Sequence, residues 1–161
     1  MNDVRWLSAE QLAAWTKFVA VVELLPGVLD GQLQRDANLT HFEYFTLAML
    51  SEAPDRTLRM TALAAATNST LPRLSHVASR LEQRGFVERM PCPEDRRATN
   101  AVLTEEGWNK VVATAPGHVG TVRANVIDAL DDTDINDLNR IMNKLLHTLD
   151  PHEKFGLHSS K

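Results

Sequence analysis

At 161 residues, 43% hydrophobic and 24% charged, with a formal net charge of −4, the chain suits one domain carrying helical extensions and is too apolar to be disordered by composition. One cysteine, Cys92, excludes an internal disulfide framework, and six scattered histidines without an i, i+4 pair give no support for a zinc site, so no metal is expected. There is no G-x-S-x-G, no H-E-x-x-H and no glycine-rich phosphate loop, which removes the common enzyme signatures and any expectation of a cofactor.

The N-terminus, "MNDVRWLSAE", lacks a basic segment followed by an apolar one, so no signal peptide is read. Ser8 is placed to cap a first helix whose apolar positions, Leu12, Trp15, Phe18, Val19, Val22, Leu25, Leu29 and Leu33, recur every three or four residues. Pro26-Gly27 interrupts this run without changing its phase, which predicts one kinked helix. The uninterrupted apolar stretch, Phe18 to Leu25, contains Glu23 and is too short to cross a bilayer, so a cytoplasmic protein is expected. Thr40 and Glu43 form a capping box for a second helix, "EAPDRT" reads as a loop, and "MTALAAAT" reads as a short third helix. A fourth helix runs from Thr70 to a C′ glycine, Gly85. Phe86 to Met90 and Ala98 to Leu103 read as two strands. Thr104 caps a fifth helix expected to run to Leu130 with a kink at Pro116-Gly117. A sixth covers "DDTDINDLNRIMNKLLHTLD", Pro151 ends it, and residues 151–161 form a tail.

Three short helices followed by a two-stranded hairpin is the order of a winged helix-turn-helix, with the fourth helix as recognition element. On a 100° wheel, Leu74, Val77, Ala78 and Leu81 face inward. Pro72, Ser75, His76, Ser79 and Gln83 face outward, flanked by Arg73 and Arg80. That outward face holds no acid except Glu82 toward its edge, where an ordinary solvated helix face mixes Glu with Lys. Small hydroxyls permit close approach to a major groove, and His76 and Arg73 can donate to base edges or phosphates. Residues 70–100 carry six arginines against four acids, +2 in a chain whose remainder is −6. Two of those arginines, Arg96 and Arg97, sit at the hairpin tip, where a planar, weakly hydrated cation suits a narrow minor groove. Asp95 is placed to accept from Arg97 and steady its guanidinium.

With "LAAATNSTLPRLSHVASRLEQRGFVER" followed by "PEDRRATNAVLTEEG", the chain resembles the multiple-antibiotic-resistance regulators, the MarR family. The second piece is similar to that family's wing signature, Asp-x-Arg, a strand, then Leu-Thr-x-x-Gly, here Asp95, Arg97, Leu103, Thr104 and Gly107. The resemblance implies a mainly α fold with a winged helix-turn-helix lobe over residues 36–103 and a dimerisation lobe made of residues 1–35 and 104–150. It implies a homodimer reading a pseudo-palindrome in double-stranded DNA, usually as a repressor, and release by a small aromatic or anionic effector. The terminal helices independently favour a dimer, since they carry more apolar surface than one small lobe can cover.

The resemblance also implies a ligand cleft between the first, second and fifth helices, which Trp15, His41, Tyr44, Phe45 and His118 could line; the aromatics suit a core, and the histidines a surface or a helix cap, equally well. His76 stands where many relatives carry arginine, and Leu71-Pro72 replaces their usual Pro-Ser, which implies a different sequence preference and a smaller phosphate contribution. Cys92 lies at the hairpin, whereas redox-sensing relatives carry their cysteine in the first helix, so an incidental thiol is the simpler expectation. The competing reading is a winged-helix protein-interaction module without DNA binding.

Overall fold

The computed structural model describes residues 4–155. The part of the expected tail beyond residue 155 lies outside them. Six α-helices and three strands follow the order α1 (Ala9–Ala37), α2 (His41–Glu52), β1 (Thr57–Arg59), α3 (Met60–Ala66), α4 (Leu71–Gln83), β2 (Val87–Pro91), β3 (Thr99–Leu103), α5 (Glu105–Asn125) and α6 (Asp132–Leu149). Local chemistry sets most of the boundaries. Ser8, Thr40 and Asp131 each accept from the backbone N–H three residues on while that residue's side chain reaches back, completing capping boxes on α1, α2 and α6. Thr70 and Thr104 cap α4 and α5 through their hydroxyls. Gly85, at φ +77°, provides the left-handed turn between α4 and β2.

Two expectations change. The segment read as a loop after α2 ends in the first residue of β1, a strand that was not expected and that pairs antiparallel with β3 (Thr57 opposite Val102, Arg59 opposite Asn100), so the wing hairpin is extended into a three-stranded sheet of order β1-β3-β2. Three residues are too few to show an alternating pattern, and their partner strand lies more than forty positions away. The fifth helix ends at Asn125, where Val126 leaves helical geometry (φ −132°, ψ −63°) and a 3-10 turn, Ile127–Ala129, leads to α6.

One core unites α1's last turns with the winged lobe. Leu33, Ala37 and Leu39 pack with Leu47 and Leu50 of α2, Leu63 of α3, Leu74, Val77, Ala78 and Leu81 of α4, Val87, Ala101 and Leu103 of the sheet, and Val111 of α5. The inward face of the recognition helix is therefore the one its wheel required. The N-terminal two thirds of α1 is different: Leu12, Trp15, Phe18, Val21, Val22 and Leu24 are exposed, as are Ile141, Leu145 and Leu149 of α6, a helix that buries none of its residues.

α1 runs unbroken through Pro26, so its apolar length exceeds the short stretch visible in sequence. An 18-residue window within it has a mean hydropathy of 1.6, and by length and composition alone it is long and apolar enough to cross a membrane. That corrects the expectation that no segment reaches this length. Lys17 and Glu23 punctuate the helix, and its last turns are buried in the winged core.

Candidate nucleic-acid interface

α3, the turn at residues 67–70 and α4 form the helix-turn-helix. Asn68 adopts the left-handed region (φ 48°), and the N–H of Ser69 donates to the Ala64 carbonyl at 2.8 Å, so the turn closes tightly on α3. Pro72 sits in the first turn of α4, where its missing N–H costs nothing.

The outer face of α4 lies between two grooves. On the wing side, Ser75 lines a concavity of about 240 Å³ with Arg59, Arg89 and Arg97. On the other side, Arg73, His76 and Arg80 line a groove of about 580 Å³ with Pro26, Asp30 and His41. Pro72, Arg73, His76 and Arg80 are exposed, and Ser75 and Ser79 are partly so. The Ser79 hydroxyl donates to the Ser75 carbonyl at 2.9 Å, keeping its profile low against the helix. Both flanking arginines are engaged by α2. The Arg73 guanidinium stacks 4.4 Å from the Phe42 ring centre, and Arg80 reaches the buried Glu43 carboxylate at 3.3 Å, a carboxylate it shares with Arg84 at 3.7 Å. Glu43, read in the sequence only as half of a capping box, thus also ties α2 to the recognition helix.

Glu82, the acid at the edge of the outward face of α4, is neutralised. Arg89 of β2 donates to it from Nε (3.1 Å), Nη2 (2.7 Å) and its backbone N–H (3.0 Å). These hydrogen bonds hold the Glu82 carboxyl below the usual carboxylate range. Nη1 of the same arginine lies 3.5 Å from the Ser75 hydroxyl, so Arg89 clamps the wing to the recognition helix. This clamp was not visible in the sequence, although an acid and an arginine straddling a helix-to-strand turn are the pair to look for.

At the wing, the N–H of Cys92 donates to the Ala98 carbonyl (2.9 Å) and the N–H of Ala98 to the Asp95 carbonyl (2.9 Å), closing the turn. Asp95 does support it, by a different contact from the one expected: its carboxylate accepts the backbone N–H of Arg97 at 3.1 Å rather than the guanidinium. The side chains of Arg96 and Arg97 are exposed and have no ion-pair partner among the described residues. Cys92 is buried and donates to Glu94 at 2.9 Å, which lowers the Glu94 carboxyl from its ordinary range.

Four of the five residues expected in a ligand cleft come together where α2 meets α1 and α5. The His41 and Phe45 rings stack at 6.4 Å, His118 lies 4.7 Å from Tyr44 and 6.5 Å from His41, and the N–H of His41 donates to Asp30 at 2.7 Å. Burial lowers the pKa of both imidazoles; the charge of His41 lowers that of His118 further, while Asp30 opposes the shift at His41. The His118 Nδ1 and Gln32 Oε1 atoms are buried without a hydrogen-bond partner. Trp15 does not join them; its ring contact is with Phe18 and it is 54% exposed. An apolar cleft of about 600 Å³ beside His41 is walled instead by Phe18, Val22, Leu25, Leu138 and Met142. Among the described residues, no group of three metal-ligating side chains converges.

A family model described as the MarR family matches residues 39–99. Sco3205, a MarR family transcriptional regulator from Streptomyces coelicolor solved in complex with DNA, is 43% identical over 95% of this chain and 96% of its own, with a TM-score of 0.88. AbsC, a MarR family transcriptional regulator from the same organism, is 36% identical over 92% of this chain and all of its own, with a TM-score of 0.86. The transcriptional repressor MprA of Escherichia coli strain K12 is 28% identical over 71% of this chain, and the match spans 64% of that repressor's length.

Proposed function

Because the chain belongs to the MarR family of transcriptional regulators, we propose that it is a cytoplasmic repressor that binds a pseudo-palindromic operator as a homodimer and yields it to a small aromatic or anionic effector. Within each subunit, residues 36–103 form the DNA-binding lobe, and residues 1–35 with 104–150 form the dimerisation lobe. Pro72, Arg73, Ser75, His76 and Ser79 face the major groove, with Arg80 at their flank, and Arg96 and Arg97 enter the adjoining minor groove. One observation carries this reading: Ser75 of the recognition helix and Arg97 of the wing wall the same groove, and the acid nearest them is already paired with Arg89. The crystal structure of Sco3205 with DNA belongs to a protein 43% identical to this one and supports the same partner here.

The exposed apolar rows of α1 and α6 are read as the dimer face rather than as a membrane span. The effector enters at the junction of His41, Tyr44, Phe45 and His118, where two buried polar atoms await a partner. Trp15, outside that cluster, contributes to the dimer face instead.

The test is duplex binding across a salt series, using an operator selected from a random pool. Affinity is expected to fall by about 0.9 log unit per phosphate contact for each tenfold rise in salt. Ser75→Glu, which sets a carboxylate against phosphates and base acceptors, is expected to abolish specific binding. A wild-type protein with no duplex affinity at low salt would instead favour the protein-interaction module.

A further inference from the structure

The groove between α4 and the wing contains a cation with no assigned role. Arg59, the last residue of β1, lines it together with Arg89 and Arg97 and with the hydroxyl-bearing Thr61, Ser75 and Thr99. The three guanidiniums are not equivalent. Arg89 spends two side-chain donors on Glu82 and its charge is compensated. Neither Arg97 nor Arg59 has an ion pair among the described residues; Arg59 Nη2 lies 3.5 Å from Cys92 Sγ, a weak acceptor, and meets the Glu94 carboxylate beyond that thiol only at longer range. Two guanidiniums without a direct ion pair therefore face one concavity of about 240 Å³ edged by hydroxyls, in a molecule whose overall charge is negative.

Position supplies the occupant. When a recognition helix lies in the major groove and a wing in the neighbouring minor groove, the strand that separates the two grooves must pass between helix and wing. We propose that this concavity seats one backbone phosphate of that strand, held by Arg59 and Arg97, with the Thr61 and Thr99 hydroxyls as further donors and Arg89 fixing the wall between α4 and β2. The proposal rests on the DNA-binding reading above. It adds Arg59 as a phosphate-binding residue contributed by the strand that the sequence did not reveal. A phosphate contact carries no base information, so its loss weakens all duplexes alike.

Arg59→Ala is expected to bind both the selected operator and a random duplex about tenfold more weakly. Its salt slope should be smaller by about 0.9. A scan replacing single phosphates with neutral methylphosphonates should find one position per half-site that costs the wild type about tenfold and costs Arg59→Ala nothing more. Wild-type affinity and slope in Arg59→Ala, a loss confined to the operator, or a scan in which no position couples to Arg59 would each overturn the proposal. Inorganic phosphate that competes at constant ionic strength against the wild type alone, with no coupled position, would assign the seat to a free anion and overturn it as well. A wild type without duplex affinity would bring down the earlier reading and this one together. Duplex binding with an uncoupled Arg59 would remove this one alone.

Discussion

Gly107 explains why a glycine follows Leu-Thr-x-x at the start of α5. A Cβ at this position would lie 2.1 Å from the Phe86 carbonyl oxygen and 2.6 Å from Leu103 Cδ1, so only a residue without a side chain lets the first turn of α5 close on the sheet. Thr104 completes the joint, donating to the Gly85 carbonyl at 2.6 Å while accepting the Gly107 N–H at 3.0 Å. The obstruction is backbone, not the end of a flexible side chain, so relief requires moving a helix. Gly107→Ala is expected to destabilise the protein by about 3 kcal/mol. Urea unfolding at fixed protomer concentration checks this, and an unchanged midpoint would show that the joint is slack. The Thr104 cap was readable because its chemistry is local, whereas Gly107 was legible only through the resemblance to a known signature, since the carbonyl that requires it belongs to Phe86, far back in the chain. The role of Asp95 was readable only in part: a short acid two residues before an arginine announces a turn, but not whether the side chain or the backbone of that arginine is the donor.

Between elements, the contact with the clearest titration behaviour is that of α2 with α5. His41 and His118 both have pKa values below the ordinary 6.5, mainly because burial disfavours the charged ring. In the unfolded chain these rings take up protons at higher pH than in the fold. Their contribution to stability is therefore complete above the ordinary value and is lost as pH falls through it toward the lowered folded value. The urea midpoint is expected to drop between about pH 7.5 and about pH 5.5, and to drop less in His118→Gln. A midpoint that holds or rises across that interval in the wild type would contradict the assignment. Helix limits in this region were legible from caps at Ser8, Thr40, Thr70 and Thr104, each a hydroxyl three residues from the N–H it accepts. Contacts between distant segments were not. β1 exists because β3 offers it an edge, and Glu43 joins Arg80 of α4 and Arg84 just past its end across more than thirty residues. Periodicity carries no information about either.

The apolar rows left uncovered on α1 and α6 bear on assembly. Trp15 and Leu12 are each half exposed, and Leu149 is 77% exposed, an arrangement that favours a covered surface over a solvated one. Sedimentation is expected to report a species of twice the chain's 18.0 kDa. Leu138→Asp combined with Leu145→Asp places two carboxylates on the α6 row and is expected to yield monomers or unfolded chains. A folded dimer from that variant would rule out α6 as part of the contact. The resemblance to known regulators suggested this assembly from sequence. The spacing of α6 gave the row itself, because an amphipathic helix writes its apolar face every three to four residues.

α1 belongs to both regions at once. Its last turns are packed into the winged core around Leu33 and Ala37, while its first half carries the uncovered row. Its 29 residues make a rod about 43 Å long. Pivoted at one end by about 5°, such a rod carries its other end about 4 Å, close to the ~3.4 Å rise of one base pair. In the proposed dimer, a slight tilt where the subunits meet would set the two reading heads one nucleotide out of phase, and the continuity of this helix past Pro26 would make it the ruler for operator spacing.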